Sequence, residues 1–178
     1  SKSTNVNKEA LILQNGKAFK DQFDIMHVNL QMSDSSGNIV NNSKTLKQEL
    51  ELLSTKNWQP VSLPHTAVLQ PLEYVTPWEG ICWYKKQFSI PATASGSKLS
   101  LEFEGAMQTT DVWLNGKLVM HHTGGYLPFS VDLTNKIFVD KPNQIMVRLD
   151  NHVNPNVPPG KPVDRLDFLY YSGIYRDV

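Results

Sequence analysis

The chain has 178 residues, no formal net charge, 40% hydrophobic residues and 19% charged residues. This length is typical of one domain with its own core. Proteins that bind nucleic acid or an anionic membrane surface usually carry a basic stripe, and the balanced charge of this chain does not indicate one. No apolar run approaches the ~20 residues that span a bilayer. The single cysteine, Cys82, excludes an internal disulfide and a multi-cysteine metal site.

The two ends of the chain predict a segment of a longer protein. Residues 1–20 are polar and predict a mobile lead-in, followed by one domain over residues 21–178. The first residue is Ser1, without a leader pattern before it, and residues 173–177 read as the start of a strand. We therefore expect a removed leader or a cut chain at one end and further sequence at the other.

Helical signal is confined to residues 44–53, where Leu46, Leu50 and Leu53 follow helical spacing behind Ser43 as a possible cap. Strand signals are frequent. Period-two alternation predicts strands over residues 81–90, 99–103 and 145–149.

Asn115-Gly116 separates two further strands, residues 112–114 and 117–120, and predicts a hairpin, because this pair tolerates positive φ at both turn positions. Irregular stretches are predicted over residues 58–80, 123–129 and 151–167. The pattern is that of an all-β sandwich or barrel.

Three aspartates, Asp150, Asp164 and Asp167, flank the proline-rich stretch, and a glycosidase needs two carboxylates beside the bond it cleaves. Aspartates beside proline and glycine are nevertheless most often turn formers. Trp78, beside Tyr74 and Glu79, is the tryptophan expected to be exposed and able to stack on a sugar.

Other candidate sites are weaker. Adjacent His121 and His122 point to opposite faces of a strand and are not expected to share a metal ion. Cys82 and Trp113 lie in predicted strands of alternating pattern, so both are expected to pack against other side chains. Cys82 is not expected to act as a nucleophile. Gly124-Gly125 lacks the lysine and helix start of a phosphate loop and predicts a turn.

Six segments occur together in an order that resembles the N-terminal sugar-binding domain of glycoside hydrolase family 2, the family of β-galactosidases, β-glucuronidases and β-mannosidases. They are WQPVSLPHT at 58–66, GICWYKKQF at 80–88, FEG at 103–105, VWLNG at 112–116, HTGGYLPF at 122–129 and DFLYYSGIYRDV at 167–178. The resemblance implies a jelly-roll β-sandwich of the galactose-binding type. In this family an immunoglobulin-like domain and a (β/α)8 barrel follow, and the two catalytic glutamates belong to the barrel. No catalytic residue is therefore expected in this chain.

The resemblance implies a substrate-binding role for Asp167, which matches the family aspartate that binds hydroxyls of the terminal sugar and in some β-galactosidases ligates sodium. The implied ions of the complete enzyme are sodium or magnesium, and the implied partners are the chain's own C-terminal domains and a β-linked carbohydrate. The GIYRDV ending resembles β-galactosidases, whereas residues 66–79 depart from the substrate-contacting loop of some members. A periplasmic or extracellular location is expected, with the cytoplasm as the alternative. A stand-alone lectin-like module using Trp78 and Tyr74, or a spacer without sugar contacts, remain as alternative functions.

Overall fold

The computed structural model describes residues 49–51, 53–54, 58–69, 78–161, 165–166 and 170–178, together with the backbone of residues 23–28. The strands of this part of the chain are β1 (Phe23–Val28), β2 (Gln59–Val61), β3 (Ile81–Ser89), β4 (Ser100–Phe103), β5 (Thr109–Leu114), β6 (Lys117–Thr123), β7 (Phe129–Asp132) and β8 (Pro142–Asp150). Residues 49–51 and 53–54 are helical, and a 3-10 turn spans Ala92–Ala94. Within the described residues, no helix has the length and apolar character needed to cross a membrane.

Two antiparallel sheets form the fold. The larger has the strand order β2-β1-β3-β8-β5-β6, and the smaller pairs β4 with β7. Side chains of both sheets belong to one apolar cluster, so the core lies between the sheets. The larger sheet contributes Cys82, Tyr84, Val112, Leu114, Ile145, Val147 and Leu149, and the smaller contributes Leu101, Phe103 and Val131. The predicted β-sandwich is confirmed.

The predicted hairpin is also confirmed. Asn115 and Gly116 have φ values of 51° and 79°, the positive values that a tight two-residue connection requires. The strands are longer than predicted, because β5 begins at Thr109 and β6 continues to Thr123. A register shift between Val112 and Trp113 interrupts their pairing, as a bulge does.

The prediction that residues 173–177 begin a strand is wrong. Gly173 forms a single bridge with Met107, and no strand follows it among residues 174–178. Its φ is 81°, and a Cβ there would lie 2.4 Å from the Tyr84 hydroxyl oxygen. The backbone therefore turns tightly against Tyr84. It forms hydrogen bonds with a loop instead of a neighbouring strand, because the Ile174 carbonyl accepts from the His65 N–H at 2.7 Å.

The outer face of the larger sheet carries a second apolar cluster. Ile81 and Trp83 are buried there, and Leu53, Trp58, Trp113 and Met146 pack against them. The rings of Trp83 and Trp113 lie 5.0 Å apart, which confirms the packing role predicted for Trp113. The predicted helix is observed at residues 49–51 and 53–54, and Ser54 lies one residue beyond its predicted end. Its predicted start, including Ser43, lies outside the described residues.

Glu49 attaches this helical segment to the sheet. Its carboxylate accepts hydrogen bonds from Trp83 Nε1 at 2.8 Å and from Arg148 Nε and Nη2 at 2.8 and 2.9 Å. Glu49 is fully buried, and Arg148 is 8% exposed. We call Glu49, Trp83 and Arg148 the outer-face clamp. Because both ions are removed from water, each one requires the other.

Candidate functional site

Asn151 fixes the end of the sandwich at which β8 stops and β3 starts. Its side-chain oxygen accepts from the Gly80 N–H at 2.7 Å, and its side-chain nitrogen donates to the Trp78 carbonyl at 2.8 Å. The backbone N–H of Asn151 also donates to the Gly80 carbonyl at 3.2 Å. One buried amide thus satisfies the backbone that leads into β3.

Asp150 and His152 lie on either side of Asn151, and their side chains form a hydrogen bond that becomes an ion pair when His152 is protonated. His152 Nδ1 lies 2.6 Å from one Asp150 oxygen, and Arg148 Nη2 lies 3.3 Å from the other. Burial opposes ionisation of Asp150, but the hydrogen bond and charge of His152 and the charge of Arg148 outweigh it, so the pKa of Asp150 is lowered. The hydrogen bond to Asp150 raises the pKa of His152 and prevails over partial burial.

We expect His152→Gln to reduce stability more at pH 6 than at pH 9. A histidine whose pKa is raised on folding stabilises the fold fully below its unfolded pKa of about 6.5, and this contribution disappears as the pH rises through the folded pKa. Urea unfolding of both proteins across this pH range measures the difference. Asp150→Asn should remove the pH dependence of the difference, whereas a difference that is constant with pH would contradict the ion pair.

Tyr170 and Glu79 complete this end of the sandwich. The Tyr170 hydroxyl donates to the Asn151 carbonyl at 2.7 Å, and the Val153 N–H donates to Glu79 Oε2 at 3.0 Å. Burial, followed by the nearby charge of Glu79, raises the pKa of Tyr170, so its hydroxyl stays protonated and available as a donor. We call Glu79, Asp150, Asn151, His152 and Tyr170 the loop-end cluster.

Asp167, Asp164 and Tyr74 lie outside the described residues. Asp150, the third predicted aspartate, is 5% exposed, and its Oδ1 also accepts from the His152 N–H at 3.2 Å. This is the local bond of a turn-forming aspartate, and the same carboxylate also bonds to the side chains of His152 and Arg148. Asp150 therefore organises the loop end.

Trp78, predicted as an exposed platform, is half-buried and packs against the main core. Its ring covers Gly80, where a Cβ would lie 2.4 Å from the Trp78 ring. Only part of this ring is open to a ligand. The Asn151 amide holds the backbone on both sides of this contact, so the position of Trp78 is fixed by the cluster.

The remaining sequence candidates are separated in space. His121 Nδ1 lies 2.5 Å from Asp111 Oδ1, whereas His122 stacks on Phe129 with ring centres 4.1 Å apart. The two histidines thus have different partners, as their alternation predicted. In the described ranges, His, Cys, Asp and Glu side chains form no group of three that could hold a metal ion.

Cys82 is 1% exposed, and burial raises the pKa of its thiol. The thiol therefore stays protonated and packs in the core as predicted. Gly125, in the predicted glycine turn, is buried where a Cβ would lie 2.2 Å from Met107 Sδ. This glycine allows a close approach of two loops.

Sequence reasoning missed Asn151 and Tyr170 as parts of this cluster. Tyr170 lies within the DFLYYSGIYRDV segment on which the resemblance depends. Its membership of this motif was a signal that could have identified it as a residue with a defined structural role. The sequence around Asn151 shows only a polar residue after a predicted strand, which indicates no particular partner. Its partners lie more than 70 positions earlier in the chain.

The chain is similar to known proteins over most of its length. A β-galactosidase from Thermoanaerobacter pseudethanolicus is 34% identical over 125 residues, which are 68% of this chain and 17% of that protein. A putative β-glucuronidase from Formosa agariphila is 34% identical over 137 residues, 76% of this chain and 16% of that protein. The chain thus spans about a sixth of the length of these relatives.

Solved structures show the same similarity. The structure of Bacteroides uniformis β-glucuronidase 2, covalently bound to cyclophellitol-6-carboxylate aziridine, matches with a TM-score of 0.65 and 25% identity over 89% of this chain and 16% of that one. A putative β-galactosidase from Bacteroides fragilis matches with a TM-score of 0.61 and 26% identity over 88% of this chain and 22% of that one.

The family profile described as "Glycosyl hydrolases family 2, sugar binding domain" matches residues 57–178. This range includes β2 to β8 and every residue of the loop-end cluster. Glu49 of the outer-face clamp precedes it. Because the profile covers the sandwich and its loop end together, the chain belongs to the sugar-binding domain family of the family 2 glycosyl hydrolases.

Proposed function

We propose that this chain serves as the non-catalytic sugar-binding domain of a longer family 2 glycoside hydrolase, where it completes the substrate pocket and braces the catalytic barrel. The observation that carries this proposal is the family match over residues 57–178 in a chain that spans only 17% and 16% of two relatives. The partners in this proposal are an immunoglobulin-like domain and a (β/α)8 barrel of the same polypeptide. The barrel supplies both catalytic glutamates of a retaining mechanism.

Asp167 is the residue that we propose to reach the substrate. A carboxylate accepts hydrogen bonds from sugar hydroxyls about twice as strongly as a neutral acceptor does. Tyr170, three residues later in the sequence, donates a 2.7 Å hydrogen bond to the Asn151 carbonyl, so the motif that contains Asp167 meets the loop-end cluster at this residue. Trp78 is the second proposed contact, through the open part of its ring.

The resemblance implies a sodium or magnesium ion in the complete enzyme, and Asp167 is the one residue of this chain that we propose as a ligand, to sodium. Asp167 lies outside the described residues, and Asp150, the described member of the three aspartates, is bonded to His152 and Arg148. The proposal therefore routes no step through an ion.

The proposed substrate is a β-linked carbohydrate, with a β-galactoside as the first choice because the GIYRDV ending resembles β-galactosidases. The relatives carry both β-galactosidase and β-glucuronidase names, so both sugars belong in the assay. A periplasmic or extracellular location is part of the same proposal.

The purified chain alone should neither cleave aryl β-galactosides or aryl β-glucuronides nor release heat on titration with the corresponding methyl glycosides up to millimolar concentration. An accessory domain provides only part of the pocket, so its own affinity is too weak to measure. Stoichiometric heat would favour the lectin-like module. Cleavage that persists through repurification would overturn the non-catalytic assignment.

A further inference from the structure

Three buried polar atoms lie without a hydrogen-bond partner at the start of β5 and the end of β6. They are Gln108 Oε1, Thr110 Oγ1 and His122 Nε2, and none has a partner within the described part of the chain. Thr110 is fully buried, and Gln108 is 1% exposed. A buried polar atom left unpaired destabilises the fold, so three in one region need an explanation.

The strand register brings the three side chains together. Thr110 pairs directly with His122 in the antiparallel β5–β6 ladder. Gln108 precedes Thr110 by two residues, and its carbonyl accepts from the Gly124 N–H at 3.1 Å, so the ladder continues past the strand ends. Directly paired side chains lie about 5 Å apart, so Thr110 and His122 are neighbours, and Gln108 is the next residue along from Thr110 on the same face.

The chemistry of the three groups defines what can lie between them. The side-chain nitrogen of Gln108 donates to the Pro158 carbonyl at 3.2 Å, which leaves Oε1 as an acceptor. Burial lowers the pKa of His122, although a hydrogen bond with the Gly124 backbone opposes this effect. A neutral ring that carries its proton on Nδ1 presents Nε2 as a second acceptor, and the Thr110 hydroxyl can donate.

We propose that Gln108, Thr110 and His122 bind one buried water molecule. The water donates its two hydrogens to Gln108 Oε1 and His122 Nε2 and accepts the hydroxyl hydrogen of Thr110. Buried waters in proteins typically make about three such bonds to polar groups that lack other partners. A cation fits the site less well, because none of its three groups carries a negative charge.

The site connects three parts of the loop end. Gln108 directly precedes β5 and bonds to Pro158 of the loop after β8, whereas His122 belongs to the end of β6. The Gln108 N–H also donates to the Asp150 carbonyl at 3.3 Å, next to the loop-end cluster. The water thus extends the polar network that organises this end of the sandwich.

Thr110→Val tests the site, because valine has the shape of threonine but no hydroxyl. With a bound water, the variant loses a satisfied hydrogen bond, and the equilibrium constant for unfolding should rise about tenfold in urea titrations. With no water, valine replaces an unsatisfied hydroxyl, and the constant should stay the same or fall. Thr109→Val is the matched control, because it removes a hydroxyl from the other face of the same strand.

A high-resolution crystal structure of the unmodified chain decides the question even if Thr110→Val fails to fold. We expect one water within about 2.6–3.2 Å of all three atoms. A well-ordered map with no peak between them would overturn the proposal. So would an ion, recognised by shorter contacts and a higher coordination number than a water makes.

Discussion

Asp167→Asn is expected to lower kcat/KM of the complete enzyme for aryl β-galactosides by about 10- to 100-fold. A hydrogen bond to a charged group contributes about 1.5–3 kcal/mol, and each 1.4 kcal/mol is a factor of ten in rate. Asparagine has the size of aspartate but presents one neutral acceptor and one donor to the sugar hydroxyls. The loss should therefore appear in kinetics and not in folding.

Asp164→Asn provides the matched control, because it makes the same chemical change three residues earlier, at a position to which the resemblance assigns no role. Both variants should retain the wild-type midpoint of urea unfolding, and only Asp167→Asn should lose activity. Unchanged kinetics in Asp167→Asn would remove this residue from the pocket. Equal losses in the two variants would indicate a general disturbance of the loop.

Local rules were sufficient for the strands whose pattern is complete within a few residues. Ile145, Val147 and Leu149 alternate in the sequence and are buried to 1% exposure or less in β8. Asn115-Gly116 determines its hairpin because its conformational preference is a property of the two residues themselves. In both cases the signal and the structure it predicts occupy the same short segment.

The strands that were missed depend on distant partners. β2 has three residues, one of which is Pro60, and these features favour a loop when the segment is read alone. β2 forms the outer edge of the larger sheet, where a missing N–H is tolerated, and it gains its pairing from β1. β7 was readable in part, since Phe129 and Val131 alternate with Ser130 and Asp132.

The candidate site shows the same limit. The resemblance implied a role for Asp167, which lies outside the described residues, and it did not indicate that Asn151 would satisfy the backbone of Trp78 and Gly80 across more than 70 residues. Polar contacts of this kind depend on which loops the sheet brings together. No periodicity in the sequence indicates which loops will be neighbours, so the structure was needed to identify these polar contacts.

Glu49→Ala is expected to destabilise the chain by about 3–5 kcal/mol, the cost typical of leaving one member of a buried ion pair without its partner. The change removes both hydrogen bonds to the Arg148 guanidinium and the acceptor of Trp83 Nε1. Arg148 is nearly buried, and its remaining carboxylate neighbours are Asp150 at 3.3 Å and Asp111 at 3.9 Å. Urea unfolding at neutral pH measures the loss.

Glu51→Ala is the control, because Glu51 is exposed on the same helical segment and its replacement should change stability by less than about 0.5 kcal/mol. The double variant Glu49→Ala, Arg148→Met separates two causes of the loss. If the unpaired guanidinium is responsible, the second substitution should recover most of the stability. If it recovers nothing, the loss belongs to packing of the helical segment on Trp83, and the ionic interpretation of the outer-face clamp is wrong.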